Sequence, residues 1–335
     1  MGKQQFKKPH NSLIILTGGA GFIGSCWLMK LNQLGYHHIL VVDEDDSVVK
    51  MNNLTNKTYT DFIDKTDFIK EIKTGDYPED VAAIFHIGAC SSTMETDVDF
   101  LSDNNTEYSK ILAQWALRDN ILFYYASSAA TYGDGSQGYS DDEVEIPGLK
   151  PLNLYGQSKQ LFDLWLLENN LTDKIVGFKY FNVYGPNEYH KGEMKSLVVK
   201  AYQQIKNDGQ IRLFKSYRPE YQAGEQKRDF VYIKDVIELM AKFFHQPQIK
   251  GIYNIGTGQA RSWNDLAKAI FAALKLKPMI EYIEMPEQIK DKYQYFTQAD
   301  ISKLQKAGIK HQFMTLEEAV ADYVQNYLEK GFATL

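Results

Sequence analysis

Short, dense apolar runs alternate along this chain with longer segments whose apolar positions recur at helical spacing. The dense runs cover residues 12–16, 38–43, 81–86, 121–126 and 174–181, and they are rich in β-branched and aromatic side chains. Runs of that length, closed by glycine or polar residues, predict core strands. Residues 22–34, 104–117 and 151–167 predict helices, with Ile111, Leu112 and Trp115 on the buried face of the second. Strand and helix in alternation predict an α/β chain around a parallel sheet. The texture changes after the strong turn signal Gly185-Pro186. A helix is expected at residues 194–206, a short strand at 210–214, and a loop at 215–224. Residues 228–236 return toward the main domain and lead into a helix ending at Phe244. Residues 251–258 read as a strand and a glycine turn, and further helices are expected at 262–274, 300–307 and 315–329. Ser262 and Thr315 are the expected N-caps, and Gly308 and Gly331 the stops. These breaks suggest a main domain of residues 1–181 and 229–260, and a smaller α/β lobe of residues 182–228 and 261–335.

The first run leads into Leu16-Thr-Gly-Gly-Ala-Gly-Phe-Ile-Gly24, which opens the first helix. Strand, glycine turn and helix in that order begin a dinucleotide-binding unit, so a Rossmann-type doubly wound sheet is expected. Gly18 permits the tight turn, Gly21 admits a pyrophosphate to the backbone, and Gly24 lets the helix pack closely on the sheet. The N–H groups at the helix start direct roughly half a positive charge at the phosphates. Asp43 ends the next strand about 20 residues on, where an acid receives the adenosine ribose hydroxyls; an ordinary strand-end turn also uses aspartate. Glu44-Asp45-Asp46 follows. One acid about 5 Å from one charge of a ribose 2′-phosphate costs roughly 3 kcal/mol at an effective dielectric of about 20. That favours NAD over NADP unless Lys50 or Lys65 folds in to compensate. The small-residue loop Ile87-Gly-Ala-Cys-Ser-Ser92 suits close passage of the cofactor.

The fourth run delivers Ser127, Ser128, Ala129, Ala130, Thr131, Tyr132 and Gly133, and the next helix carries Tyr155 and Lys159. At i and i+4 the last two project from one helix face. A phenol with a reference pKa of about 10 is a poor base at neutral pH. An ammonium one turn away and the charge of an oxidised nicotinamide both favour the phenolate. Lowering the pKa by about 3 units needs roughly 4 kcal/mol, within reach of two cations in a partly dry site. Ser128 can share the hydrogen bond to the reacting oxygen. Tyr-x-x-x-Lys alone also describes an ordinary amphipathic helix; the glycine turn and serine-rich strand end ahead of it point to chemistry. Arg228 can pair bidentately with a diphosphate, whereas Arg212 and Arg218 read as surface solvation.

Composition narrows the classes. The 335 residues suffice for one large α/β domain with elaborations, or for two domains. A net charge of −6 argues against a nucleic-acid partner but leaves room for an anionic small molecule on local basic groups. No apolar run approaches the ~20 residues of a bilayer span, and residues 1–11 are polar and basic without a signal-peptide core. We therefore expect no membrane partner and a cytoplasmic protein. Cys26 and Cys90 build neither a disulfide framework nor a metal site, and are expected as buried thiols.

The glycine turn, Ser127-Ser-Ala-Ala-Thr-Tyr-Gly133, Tyr155-x-x-x-Lys159 and Arg228-Asp-Phe-Val231 together resemble the extended short-chain dehydrogenase/reductase family of sugar-nucleotide epimerases. Finer matches resemble its branch that inverts C6 of an ADP-bound heptose for the lipopolysaccharide inner core. These are His86-x-Gly-Ala-Cys-Ser-Ser-Thr93, Asp103-Asn-Asn105, Asn182-Val-Tyr-Gly-Pro186, His190-Lys-Gly192 and Tyr293-Gln-x-Phe-Thr-Gln-Ala-Asp300. The resemblance implies a nicotinamide cofactor that takes hydride from C6 and returns it to the other face of the ketone. Tyr155 would handle the proton on one face and Lys191 on the other, with the sugar bound in two orientations. Lys159 would hold the nicotinamide ribose and tune Tyr155. Matching positions imply cofactor contacts at Phe22, Ile23, Asp43, Glu44, Lys65, Ile87, Gly88, Ala89, Cys90, Ser91, Asn104 and Val183. They imply substrate contacts at Asn182, Phe214, Lys215, Ser216, Tyr217, Arg228 and Tyr293, and a homo-oligomer, by family a pentamer.

Some positions depart from the pattern. An acid stands near Asp46 where the family has a lysine for the 2′-phosphate, so the resemblance implies NADP while the acidic run implies NAD. Glu193 replaces a small hydroxyl residue and Lys200 a histidine, both at positions that touch substrate. Residues 218–226 form a longer segment than the pattern has. A 4-epimerase, needing one tyrosine and a swinging keto sugar, is the alternative, and His190-Lys191-Gly192 argues against it. A 4,6-dehydratase needs acids where Ala129 and Ala130 stand. A non-catalytic cofactor-binding regulator has no use for Ser128, Tyr155 and Lys159.

Overall fold

The computed structural model describes residues 12–45, 47–75, 80–290 and 293–335. Asp46 of the acidic run and the basic segment 1–11 lie outside the described residues. Seven strands form one parallel sheet: β1 (Leu13–Thr17), β2 (Ile39–Asp43), β3 (Asp61–Asp64), β4 (Val81–His86), β5 (Leu122–Ser128), β6 (Val176–Tyr180) and, much later in the chain, β10 (Gly251–Ile255). Their order is β10-β6-β5-β4-β1-β2-β3, and every neighbouring pair is parallel. Alternate residues of each strand supply separate cores on the two faces. Ile14, Leu16, Val41, Phe85 and Tyr124 face one, with Trp27 from the first helix. Ile15, Val42, Ile84, Phe123 and Tyr125 face the other, with Phe162. That division is the strand period of two acting on residues buried on both sides. Phe85 and Tyr124 are cross-strand partners and stack at 4.5 Å, an arrangement worth about 0.5–1.5 kcal/mol beyond burial.

The strand β3 escapes the hydrophobic pattern. It has four residues at the sheet edge, and Asp61 is exposed, so no dense apolar run marks it. The helix expected at 104–117 is also different. A short helix Val98–Leu101 passes through a π-helical turn, Ser102–Glu107, before the helix Tyr108–Arg118. The extra residue in that turn rotates Asn104 and Asn105 relative to a straight helix.

Beyond residue 181 two small sheets form. In one, β7 (Asn182–Tyr184) runs parallel to β9 (Lys227–Tyr232), which pairs antiparallel with β11 (Ala260–Ser262). In the other, β8 (Ile211–Phe214) runs parallel to β12 (Ile280–Ile283). The helix Trp263–Ala273 begins with a Ser262/Asp265 capping box and the helix Leu316–Asn326 with a Thr315/Glu318 one. Gly308 and Gly331 both adopt the left-handed conformation that ends a helix. Among the described residues no helix is long and apolar enough to cross a membrane, and no cluster of His, Cys, Asp and Glu could hold a metal.

Candidate active site

The strand order reverses between β1 and β4, so the connections leave on opposite faces and open a crevice at the strand ends. A cavity of about 1350 Å³ occupies that crevice. It runs from the glycine turn past the ends of β2, β4 and β5 to Phe230 and to Arg228, Trp263 and Tyr293 of the lobe. Gly18, Gly21, Phe22, Ile23, Gly24, Asp43, Glu44, Lys50, Lys65, Ile87, Gly88, Ala89, Cys90, Ser91, Asn104 and Val183 all line it.

The turn fits a dinucleotide. Gly18 has φ +69°, and a Cβ there would lie 2.6 Å from the Gly88 backbone. A Cβ on Gly24 would collide with the Gly18 carbonyl oxygen; Gly24 therefore serves the packing of helix on turn, not of helix on sheet. The helix Phe22–Gln33 starts at Gly21 without a side-chain cap, which leaves its first N–H groups for an anion. Asp43 accepts from the Ala20 N–H at 2.9 Å and pairs with Lys50 at 2.9 Å. Lys65 pairs with Glu44 at 2.6 Å and donates to Asn104 Oδ1 at 2.6 Å. Both lysines thus fold in against the acids that follow β2. Cys90 is half-exposed in the cavity wall, its backbone held by Asn105 from the π-helical turn. It is not the buried thiol its sequence surroundings suggested.

Ser128, at the end of β5, accepts from the Ala130 N–H through its Oγ and stands near enough to Tyr155 to favour its charged form. Asn153 caps the helix Leu154–Glu168, which brings Tyr155 and Lys159 to the same wall. Burial pushes Tyr155 above its ordinary pKa, and the Ser128 hydroxyl only partly opposes it. Burial lowers Lys159 itself to about 8, while Asp163 acts to keep it charged. Asp163 is wholly buried. It accepts from Tyr125 at 2.7 Å and Ser127 at 2.8 Å, and pairs with the equally buried Lys179 at 3.1 Å. Lys179 donates to Thr131 Oγ1, which donates to the Ser128 carbonyl.

Lys191 lines the cavity from the loop after β7, with Nζ 5.6 Å from the Phe22 ring centroid. Burial lowers its pKa, and nearby Glu188 opposes the shift. Glu188 is buried and accepts from Ser196 Oγ, the Gly185 N–H and Tyr323 Oη, so it ties the loop together. Burial also drives neighbouring His190 down to about 4, so its ring is neutral at physiological pH.

The expected substrate contacts divide. Asn182, Arg228 and Tyr293 line the cavity. Arg228 is buried, 5.6 Å from Trp263 and 5.2 Å from Tyr293, and donates to the Gln294 carbonyl. Among the described residues it has no carboxylate partner, which leaves its charge for an anion. Phe214, Lys215, Ser216 and Tyr217 do not line the cavity; Lys215 and Tyr217 both bind Glu284 instead. Glu193 and Lys200 are also outside it and pair with each other at 3.2 Å. The two unusual residues are thus one compensated surface pair.

A model of the NAD dependent epimerase/dehydratase family matches residues 14–256. This chain belongs to that family. The ADP-L-glycero-D-manno-heptose-6-epimerase of Nitratidesulfovibrio vulgaris (strain Hildenborough) is 50% identical over 316 residues, covering 94% of this chain and 98% of that one. Its counterpart of the same name in Fusobacterium nucleatum is 47% identical over 327 residues, covering 95% and 98%. The crystal structure of Helicobacter pylori ADP-L-glycero-D-manno-heptose-6-epimerase aligns with a TM-score of 0.77 at 26% identity, covering 96% and 99%. Family membership brings a nicotinamide cofactor and a sugar-nucleotide substrate. For these the cavity also offers Gln294, which the sequence marked only as part of the motif after Tyr293, and Trp263, which it did not single out. Asn105 is buried behind the wall and holds the Cys90 backbone in place. Trp263 carries no local signal, because only the lobe's folding brings it to Arg228.

Proposed function

We propose that this chain inverts C6 of the heptose in ADP-D-glycero-D-manno-heptose to give ADP-L-glycero-D-manno-heptose, the heptose donor for the lipopolysaccharide inner core. One observation carries the reading: two unlike proton-handling side chains, Tyr155 and Lys191, line one cavity from distant parts of the chain. Inversion through a ketone uses a proton acceptor for each epimer when the sugar binds in two orientations. Tyr155, with Ser128 on the shared oxygen, takes the hydroxyl proton of one epimer as the C6 hydrogen departs as hydride. Lys191 takes it from the other, and burial favours the neutral amine that this requires. A nicotinamide cofactor, its pyrophosphate at the glycine turn and its nicotinamide ribose at Lys159, would supply the hydride acceptor and donor. Because burial raises Tyr155, formation of the phenolate would draw on the positive charge that the oxidised cofactor supplies. Asn182, Arg228 and Tyr293 bind the sugar nucleotide, with Arg228 on the diphosphate. The relatives at 50% and 47% identity support the same substrate. A 4-epimerase would give Lys191 no task.

The cofactor is NADP in this reading. Lys50 and Lys65 neutralise Asp43 and Glu44, and a 2′-phosphate can take over Lys65 from the half-exposed Glu44. We also infer the two-part organisation, with residues 1–181 and 229–260 for the cofactor and 182–228 and 261–335 for the sugar, in a cytoplasmic homo-oligomer. Incubation with ADP-D-glycero-D-manno-heptose, followed by proton NMR at C6, is expected to give a mixture of epimers, and mass spectrometry of released cofactor to give NADP. A C6 centre that stays unchanged with cofactor bound overturns the substrate assignment.

A further inference from the structure

One buried side chain joins the glycine turn to the loop that carries Lys191. Asn53 lies in a short 3-10 turn, Asn52–Leu54, and is 1% exposed. Its Nδ2 donates to the carbonyl of Ala20 at 3.0 Å and to the carbonyl of Asn187 at 3.0 Å. His190 Nδ1 lies 3.4 Å away as a third, weaker acceptor. Two carbonyl acceptors fix which end of the amide is NH₂, because only that end donates. Ala20 sits inside the glycine turn, and its N–H is bonded to Asp43. The Ala20 residue is therefore clamped between Asp43 on one side and Asn53 on the other.

The far end of the clamp is equally fixed. Asn187 is wholly buried with φ +76°, and its side chain donates to Ser25 Oγ on the first helix. The Lys191 N–H closes back on the Glu188 carbonyl at 3.1 Å. Three residues separate the Asn53 contact at Asn187 from Lys191, and the Lys191 N–H to Glu188 bond limits the freedom of that short stretch. The Lys191 ammonium then meets the ring of Phe22, the first residue of the helix that the glycine turn opens.

The geometry points to Asn53 as a positioning residue that couples the seating of the cofactor turn to the placement of Lys191, a role that rests on Lys191 being the second proton acceptor. Asn53 is buried and does not border the cavity. Its effect passes through two backbone carbonyls. Tyr155 stands on a helix that Asn53 does not contact, so losing Asn53 slows the direction that uses Lys191 more than the direction that uses Tyr155.

Two measurements on the cofactor-loaded protein test this. In single turnover, each C6 epimer is mixed with wild type, Asn53→Ala and Asn53→Ser, and reduced nicotinamide is followed by absorbance. The variants are expected to slow reduction by one epimer about tenfold or more, and by the other less than about twofold, as a misplaced group does without loss of the fold. Equal slowing with both epimers, or none, overturns the coupling. Hydrogen exchange needs no sugar. It is expected to quicken in residues 187–192 and 18–21 of the variants, while residues 154–168 stay as in wild type. Unchanged exchange at 187–192 overturns the coupling, as does a uniform rise. Should Asn53→Ala not fold, Asn53→Ser, which retains one donor, decides by the same criteria. If wild type is reduced by neither epimer, the proposed substrate fails, and the exchange pattern still decides the role of Asn53.

Discussion

The two proton-handling arms of the cavity are built in opposite ways. Tyr155 and Lys159 share one face of a helix that Asn153 caps, and Ser128 ends a central strand of the sheet. Beneath them lies the Asp163–Lys179 pair, with neither side chain exposed. Lys191 stands instead on a loop between β7 and the helix Leu197–Asp208. Its position depends on partners scattered through the chain: Asn53, Ser25 and Glu188. Regular elements hold their register through their own backbone hydrogen bonds. A loop has no such ladder, so side chains must supply the equivalent constraint. The first arm is robust against change elsewhere, while the second is exposed to it.

The comparison breaks at its strongest point if the Tyr155 arm is dispensable. Tyr155→Phe is expected to lower kcat by about 10³-fold or more, near the upper end for a general acid–base group, with cofactor still bound. Comparable turnover in steady-state assays would remove Tyr155 from the chemistry. The foundation of that arm is tested next. Asp163→Asn leaves Lys179 buried and unpaired, at an expected cost of about 3–5 kcal/mol in urea unfolding. The double variant Asp163→Asn/Lys179→Met is expected to recover most of that loss, and hydrogen exchange in the Lys191 loop should not change in either.

A pH measurement sharpens the contrast between framework and loop. His86 ends β4, bonded to Thr17 at 2.7 Å and Ser109 at 2.8 Å, and burial lowers it from 6.5 to about 3. Folding favours the neutral ring, so the unfolded chain takes up the proton first. This contribution to stability is whole above about pH 6.5 and is lost as pH falls through the window down to about 3. Urea unfolding of wild type and His86→Gln should therefore converge by about 1–3 kcal/mol between pH 7 and pH 4. A constant gap would mean that His86 does not titrate between the two states. A smaller effect is expected at the cofactor's adenosine end. Lys65→Ala should weaken NADP about tenfold and leave NAD nearly unchanged, the loss of one charge-assisted contact to phosphate, as read by titration calorimetry. Last, Glu193→Ala/Lys200→Ala should change kcat/KM by less than about twofold, since an exposed pair contributes little. A large change would return that pair to the substrate site.

Much of this molecule was legible before folding, for reasons that differ by element. The glycine turn, Asp43 and the strand runs depend on neighbours near in sequence, and their spacing survives as a readable pattern. Tyr155 and Lys159 were legible because a helix converts i, i+4 into a shared face. The edge strand β3 was missed because a four-residue edge carries no dense apolar run. Phe214 to Tyr217 were expected in the site, yet they do not border the cavity, and Lys215 and Tyr217 bind Glu284.

The sequence by itself determined the doubly wound fold, the dinucleotide turn and the kind of chemistry available, since each follows from local periodicity and residue type. Only the tertiary structure decided the charge balance after β2, where Lys50 and Lys65 reach Asp43 and Glu44. The same holds for the pairing of Glu193 with Lys200, the aromatic wall around Arg228, and the link from Ala20 through Asn53 to the Lys191 loop. The physical reason is common to all of them. Charge compensation and hydrogen bonding act over a few ångströms in space, and most of these contacts join residues that the chain keeps far apart until it folds.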